Sequence, residues 1–87
     1  MDKCSVLLVD DEAEFIETLG KRLARRGLTV HLAGSGPEAL EAVQAHALDV
    51  VVLDVKMPGM DGIEVLQKIK QMKPGLEVLM LTAHANV

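Results

Sequence analysis

The side chains best suited to chemistry are acids at two separated places. Asp10 and Asp11 follow directly on the apolar run Val6-Leu7-Leu8-Val9, and Asp54 follows directly on Val50-Val51-Val52-Leu53. Short continuous apolar runs of this kind suit strands buried on both faces of a parallel sheet. In open α/β sheets, sites form beyond the carboxyl ends of the strands, near the point where strand order reverses. If the two strands are neighbours, three carboxylates converge there. Such a cluster repels itself, and the pKa of at least one member should rise. A divalent cation would relieve the repulsion, and an all-oxygen donor set that retains waters favours Mg2+ over zinc. Each acid also has a plainer reading: Asp11 has the spacing of a helix N-cap with Glu14 three residues on, and Asp54 could be a solvated loop acid. A strongly apolar run ending in an acid weighs against the second, and for the three acids together the metal-dependent site is the better reading.

Composition narrows what such a site could serve. The chain has 87 residues, 49% of them apolar and 25% charged, which is one small globular domain at most. Nine basic against thirteen acidic side chains leave a net charge of −4, which argues against direct nucleic-acid binding by this segment. There is no Trp or Tyr, and Phe15 is the one Phe. Base stacking, an aromatic cage and an aromatic-rich interface are therefore disfavoured, and the core must be Val, Leu, Ile, Ala and Met. A single cysteine excludes an internal disulfide and a Cys-based zinc cluster, and Cys4 reads most simply as a small buried residue. The N-terminus has no basic n-region or long apolar h-region, and no apolar run is long enough to span a bilayer, so the expected location is cytoplasmic.

The acids need elements to position them, and the chain alternates strand and helix signals. After the first run, Phe15, Ile16, Leu19 and Leu23 share one helical face, with acids crowding the start and Lys21, Arg22, Arg25 and Arg26 the end. Gly27 sits where a left-handed residue closes a helix. Residues 28–33 read as a weaker, alternating strand carrying His31. Ser35-Gly36-Pro37-Glu38 is a capping box opening a second helix, whose stripe is Leu40, Val43 and Ala47. The Val50 run is the third strand. Residues 56–60, with Pro58 and Gly59, form a loop. Asp61 caps a third helix with Ile63, Leu66 and Ile69 as its stripe, and Pro74-Gly75 ends it. Residues 76–81 are a fourth strand. The order β-α-β-α-β-α-β implies a parallel sheet with helices on both faces. His31 and His46 lie far from the acids in sequence and have no partner at ligand spacing.

The runs Val6-Leu7-Leu8-Val9-Asp10-Asp11-Glu12, Val51-Val52-Leu53-Asp54-Val55-Lys56-Met57-Pro58-Gly59-Met60-Asp61-Gly62 and Leu79-Met80-Leu81-Thr82-Ala83 together resemble a response-regulator receiver domain of two-component signalling, over essentially the whole chain. The resemblance implies a flavodoxin-like, doubly wound sheet of order 2-1-3-4. It implies that Asp54 is the phosphoacceptor, taking a phosphoryl group from a sensor histidine kinase as an acyl phosphate. It implies that Asp10 and Asp11 hold Mg2+ with Asp54 and the main-chain carbonyl of Lys56 as further ligands. Thr82 resembles the switch hydroxyl, Ala83 the small residue beside the acceptor, and Met57-Pro58-Gly59 the loop forming one wall. By the same resemblance, Lys56 and His84 match the two family positions that flank the path of attacking water. The implied partners are the kinase and a fused or separate output domain, DNA-binding in transcriptional regulators of the enhancer-activating type, with a homodimer left open. The implied role is a signalling module that phosphorylates and dephosphorylates itself, not a turnover enzyme.

One departure stands out. Receivers carry a lysine at the end of a fifth strand, and no residue here fills that position; the fifth strand and last two helices are also absent from the sequence. Residues 1–87 are therefore expected to be a receiver incomplete at its C-terminus, from a longer gene or completed by a neighbouring chain. Two other readings compete. A Mg2+-dependent phosphohydrolase with an aspartyl-phosphate intermediate would place Asp-x-Asp after the first strand, whereas Asp10 and Asp11 are adjacent. A pseudo-receiver scaffold is opposed by Asp10, Asp11, Asp54 and Thr82 standing together, though the shortness favours it.

Overall fold

The computed structural model describes residues 3–54 and 61–81. Seven elements follow one another: β1 (Ser5–Val9), α1 (Ala13–Arg25), β2 (Thr29–Ala33), α2 (Gly36–Ala45), β3 (Val50–Asp54), α3 (Gly62–Met72) and β4 (Glu77–Leu81). All strands pair in parallel in the order β2-β1-β3-β4, as the resemblance implied. The chain starts in the middle of the sheet, moves out to one edge, then crosses β1 to the other side. That reversal between β1 and β3 is the switch point where a site is expected.

Strand alternation divides the core into two layers. Leu7, Val9, Ala33, Val51 and Leu53 pack with Ala39 and Val43 of α2 and with Val65 and Ile69 of α3. Val6 and Leu8 face the other way, onto Ile16 of α1, with Leu19, Leu23, Val30, Val50 and Val52 around them. Gly20 lets α1 lie close on β2, because a Cβ there would come within 3.3 Å of Leu32 and Val30 side chains. Gly27 has φ +93°, the left-handed conformation that ends α1.

Several local expectations change. Phe15 and Ile63 are 42% and 53% exposed, because each sits at the margin of its helical stripe; Ile16 and Gly20 take the buried places on α1, and Val65 and Ile69 on α3. Cys4 is exposed, since β1 enters the sheet only at Ser5. Ala47 lies past the end of α2 and is exposed. Leu79, on β4, the outer strand among the described residues, is 50% exposed. No helix among the described residues is long and apolar enough to cross a membrane.

Candidate phosphoryl and metal site

The parallel register places Val9 beside Leu53, so the next residues along the two central strands, Asp10 and Asp54, end up side by side. Asp54 is the last residue of β3, not part of the loop after it. Asp10 and Asp54 are each 2% exposed, while Asp11 faces solvent. One carboxylate oxygen from each of Asp10, Asp11 and Asp54 lies within 4.8 Å of the others. The expected convergence is thus present among the described residues, built by two neighbouring strand ends.

Asp10 is fixed by backbone partners. Its own N–H donates to the Ala33 carbonyl at 3.1 Å, tying β1 to the end of β2. Its Oδ1 accepts the Glu12 N–H at 2.9 Å. Glu12, not Asp11, is the residue that precedes the first turn of α1, and no side chain caps that helix. The Asp11 capping role is therefore corrected: the buried Asp10 carboxylate takes the nearby amide, and Asp11 is left to the cluster. Burial raises the Asp10 pKa above 3.8, as do the charges of Asp54 and Asp11 and a hydrogen bond with the Asp11 side chain; the Glu12 N–H pulls the other way. Burial is the largest cause of the rise, and the repulsion within the cluster adds to it.

The next element is held at the same end of the sheet. Ser35 Oγ accepts the Glu38 N–H at 3.3 Å, and Glu38 Oε1 accepts the Gly34 N–H at 2.8 Å, so the capping pair locks the β2–α2 turn. Asp61 Oδ1 accepts the Ile63 N–H at 2.7 Å and starts α3. The sequence reading missed the Glu12 and Ala33 backbone groups that orient Asp10; an Asp two residues before the residue that opens a helix is the signal that could have pointed to the first. Lys56, Thr82, Ala83, His84 and the Met57-Pro58-Gly59 loop lie outside the described residues.

The donor set suits a hard dication. Three carboxylates supply only oxygen atoms and excess negative charge, and one of them is open to solvent, where waters would be able to complete a shell. Thiolate and imidazole, which would draw zinc, are absent from the cluster.

The response regulator receiver domain family matches residues 6–87. The DNA-binding transcriptional regulator NtrC of Escherichia coli (strain K12) is 40% identical over 87 residues, all of this chain and 19% of that protein. The chain thus spans about a fifth of the length of such relatives. The response regulator TrrA from Thermotoga maritima, in complex with Mg(2+)-BeF, superposes with a TM-score of 0.87 at 35% identity, covering 94% of this chain and 71% of that one. The same regulator in complex with the histidine kinase ThkA gives a TM-score of 0.86 at 35% identity, over 95% and 72% of the two chains.

Proposed function

The chain belongs to the response-regulator receiver domain family, and on that premise we propose that Asp54 accepts a phosphoryl group from the phosphohistidine of a sensor kinase. The observation that carries this is the convergence of Asp10, Asp11 and Asp54 within 4.8 Å at the switch point. A carboxylate oxygen of Asp54 forms a bond to phosphorus while the bond to the kinase imidazole breaks, leaving an acyl phosphate on this chain. Asp54 ends β3 in a nearly buried position, which limits the approach of attacking water. Asp10 and Asp11, with Asp54 and the Lys56 carbonyl, would hold Mg2+. When bound, the ion neutralises charge on the transferring group, in a reaction that depends mostly on positioning and electrostatics.

Asp10 contributes by being rigid: the Ala33 carbonyl and Glu12 N–H fix its backbone and one oxygen before any ligand arrives. Thr82 is the hydroxyl we assign to reading the phosphoryl group, and Lys56 and His84 the side chains that set how fast water removes it. The transfer is stoichiometric, so the domain is a switch and not a turnover enzyme. Relatives such as NtrC are transcriptional regulators, which supports a cytoplasmic output domain acting on transcription. The test is uptake of one phosphoryl group from a small acyl-phosphate donor, followed by intact mass. Labelling should require Mg2+ and disappear in Asp54→Asn; equal labelling of that variant would overturn the assignment.

A further inference from the structure

At the other end of α2, two histidines that lie fifteen positions apart in sequence meet. The rings of His31 and His46 stack with centroids 3.9 Å apart and planes inclined by 21°. His31 lies in the middle of β2, half-buried, in register with Leu7 of β1. His46 is the exposed residue that closes α2, its N–H donating to the Ala42 carbonyl at 3.0 Å. A face-to-face stack directs ring nitrogens alongside each other and not toward a common point, so the pair is poorly arranged to chelate a metal.

We propose that the His31–His46 stack is a proton-sensitive latch that fastens the last turn of α2 to β2, shut while at most one ring is charged and released when both are. One imidazolium over a neutral ring is tolerated, since a cation over an aromatic face is attracted to it. Two imidazolium ions at 3.9 Å repel, and the backbone of His31 is held in a strand. His46 can: it borders a cavity of about 500 Å3 whose walls include Val43, Leu48, Met72 and Leu76.

Burial and His46, not a neighbouring carboxylate, are what act on His31. From β1, the neighbour of His31 is the apolar Leu7, and α1 packs on the opposite face of the sheet. On α2, Glu38 is engaged with the Gly34 N–H and Glu41 is exposed. Beside His46, Lys73 and Asp49 share the cavity wall, and Asp49 Oδ2 accepts the Ser5 N–H at 2.7 Å. Burial, and then the charge of His46, hold His31 below the usual imidazole value of 6.5.

The experiment pairs ring titration by NMR with amide hydrogen exchange, corrected for intrinsic rates, between about pH 7.5 and about pH 5. Protection of the last-turn amides of α2 should fall several-fold on acidification. The last turn of α3, where the Lys73 N–H donates to Ile69 at 2.8 Å, serves as the internal reference and should not change. In His46→Gln the pH-dependent loss should vanish and the His31 midpoint should move up. In His46→Phe, which keeps a stacking ring without charge, the turn should stay protected at both pH values. An equal loss of protection in His46→Gln, or an unmoved His31 midpoint, would overturn the latch.

Discussion

Replacing Asp10 by Asn should make the metal-free protein more stable while abolishing its response to Mg2+. The carboxylate oxygens of Asp10, Asp11 and Asp54 lie within 4.8 Å of one another, and both Asp10 and Asp54 are 2% exposed. At that separation two like charges cost roughly 1 kcal/mol in a water-like dielectric and about 3.5 kcal/mol at the effective value of about 20 that suits protein sites. The Asn side chain keeps an oxygen to accept the Glu12 N–H, and its amide can donate to the two remaining carboxylates, so no buried polar atom is stranded. The net gain should be about 1–3 kcal/mol, which in a domain this small raises Tm by at least about 4 °C. The folded Asp10 carboxyl holds its proton more tightly than the unfolded one, whose pKa is 3.8. Wild-type stability is therefore lost as pH rises through the folded-state value, and the advantage of the variant grows over the same window. Thermal and urea denaturation in chelator measure the first effect. Repeating them in Mg2+ measures the second: at one hundred times Kd the wild type should gain about 2.7 kcal/mol, and the variant almost nothing. A variant no more stable than wild type in chelator would refute the claim that the cluster is held together against its own repulsion. Equal stabilisation of both proteins by Mg2+ would refute its role as the cation site.

Three further outcomes test the scaffold. Ser35→Ala removes the oxygen that accepts the Glu38 N–H at the start of α2, and should lower urea-denaturation stability by about 1 kcal/mol. Gly27→Ala meets no atom within 4 Å, so any loss is backbone strain at φ +93°; about 1 kcal/mol is expected by chemical denaturation, with Gly27→Asn costing less. His31 resists protonation when folded, so the unfolded state binds more protons below about pH 6.5. Its contribution to stability is complete above that pH and is lost as pH falls; a pH series of thermal melts should flatten in His31→Gln relative to wild type.

Much of the fold was legible because its signals are local. Apolar runs ending in acids, a left-handed glycine at position 27 and Ser35 three residues before Glu38 each act over a few residues, and the alternation of β and α restricts how they assemble. Helix faces were read less well: Phe15 and Ile63 carry the right periodicity but lie at the edge of the buried stripe, where neighbours decide exposure. Cys4 failed for a similar reason, since adjacency to an apolar run does not place a residue inside the sheet.

The sequence by itself determined which acids stand at strand ends, and so which side chains were available for phosphoryl and metal chemistry. Only the tertiary structure decided that these strands are neighbours and in the register that sets Asp10 beside Asp54. It also decided that the Ala33 carbonyl holds the Asp10 backbone, and that His31 meets His46. The physical reason is range. Strand and helix signals are written within one or two turns of chain, whereas pairing brings Asp54 to Asp10, and Ala33 to Asp10, from 44 and 23 positions away. The repulsion, burial and stacking that give these side chains their properties exist only once that pairing has formed.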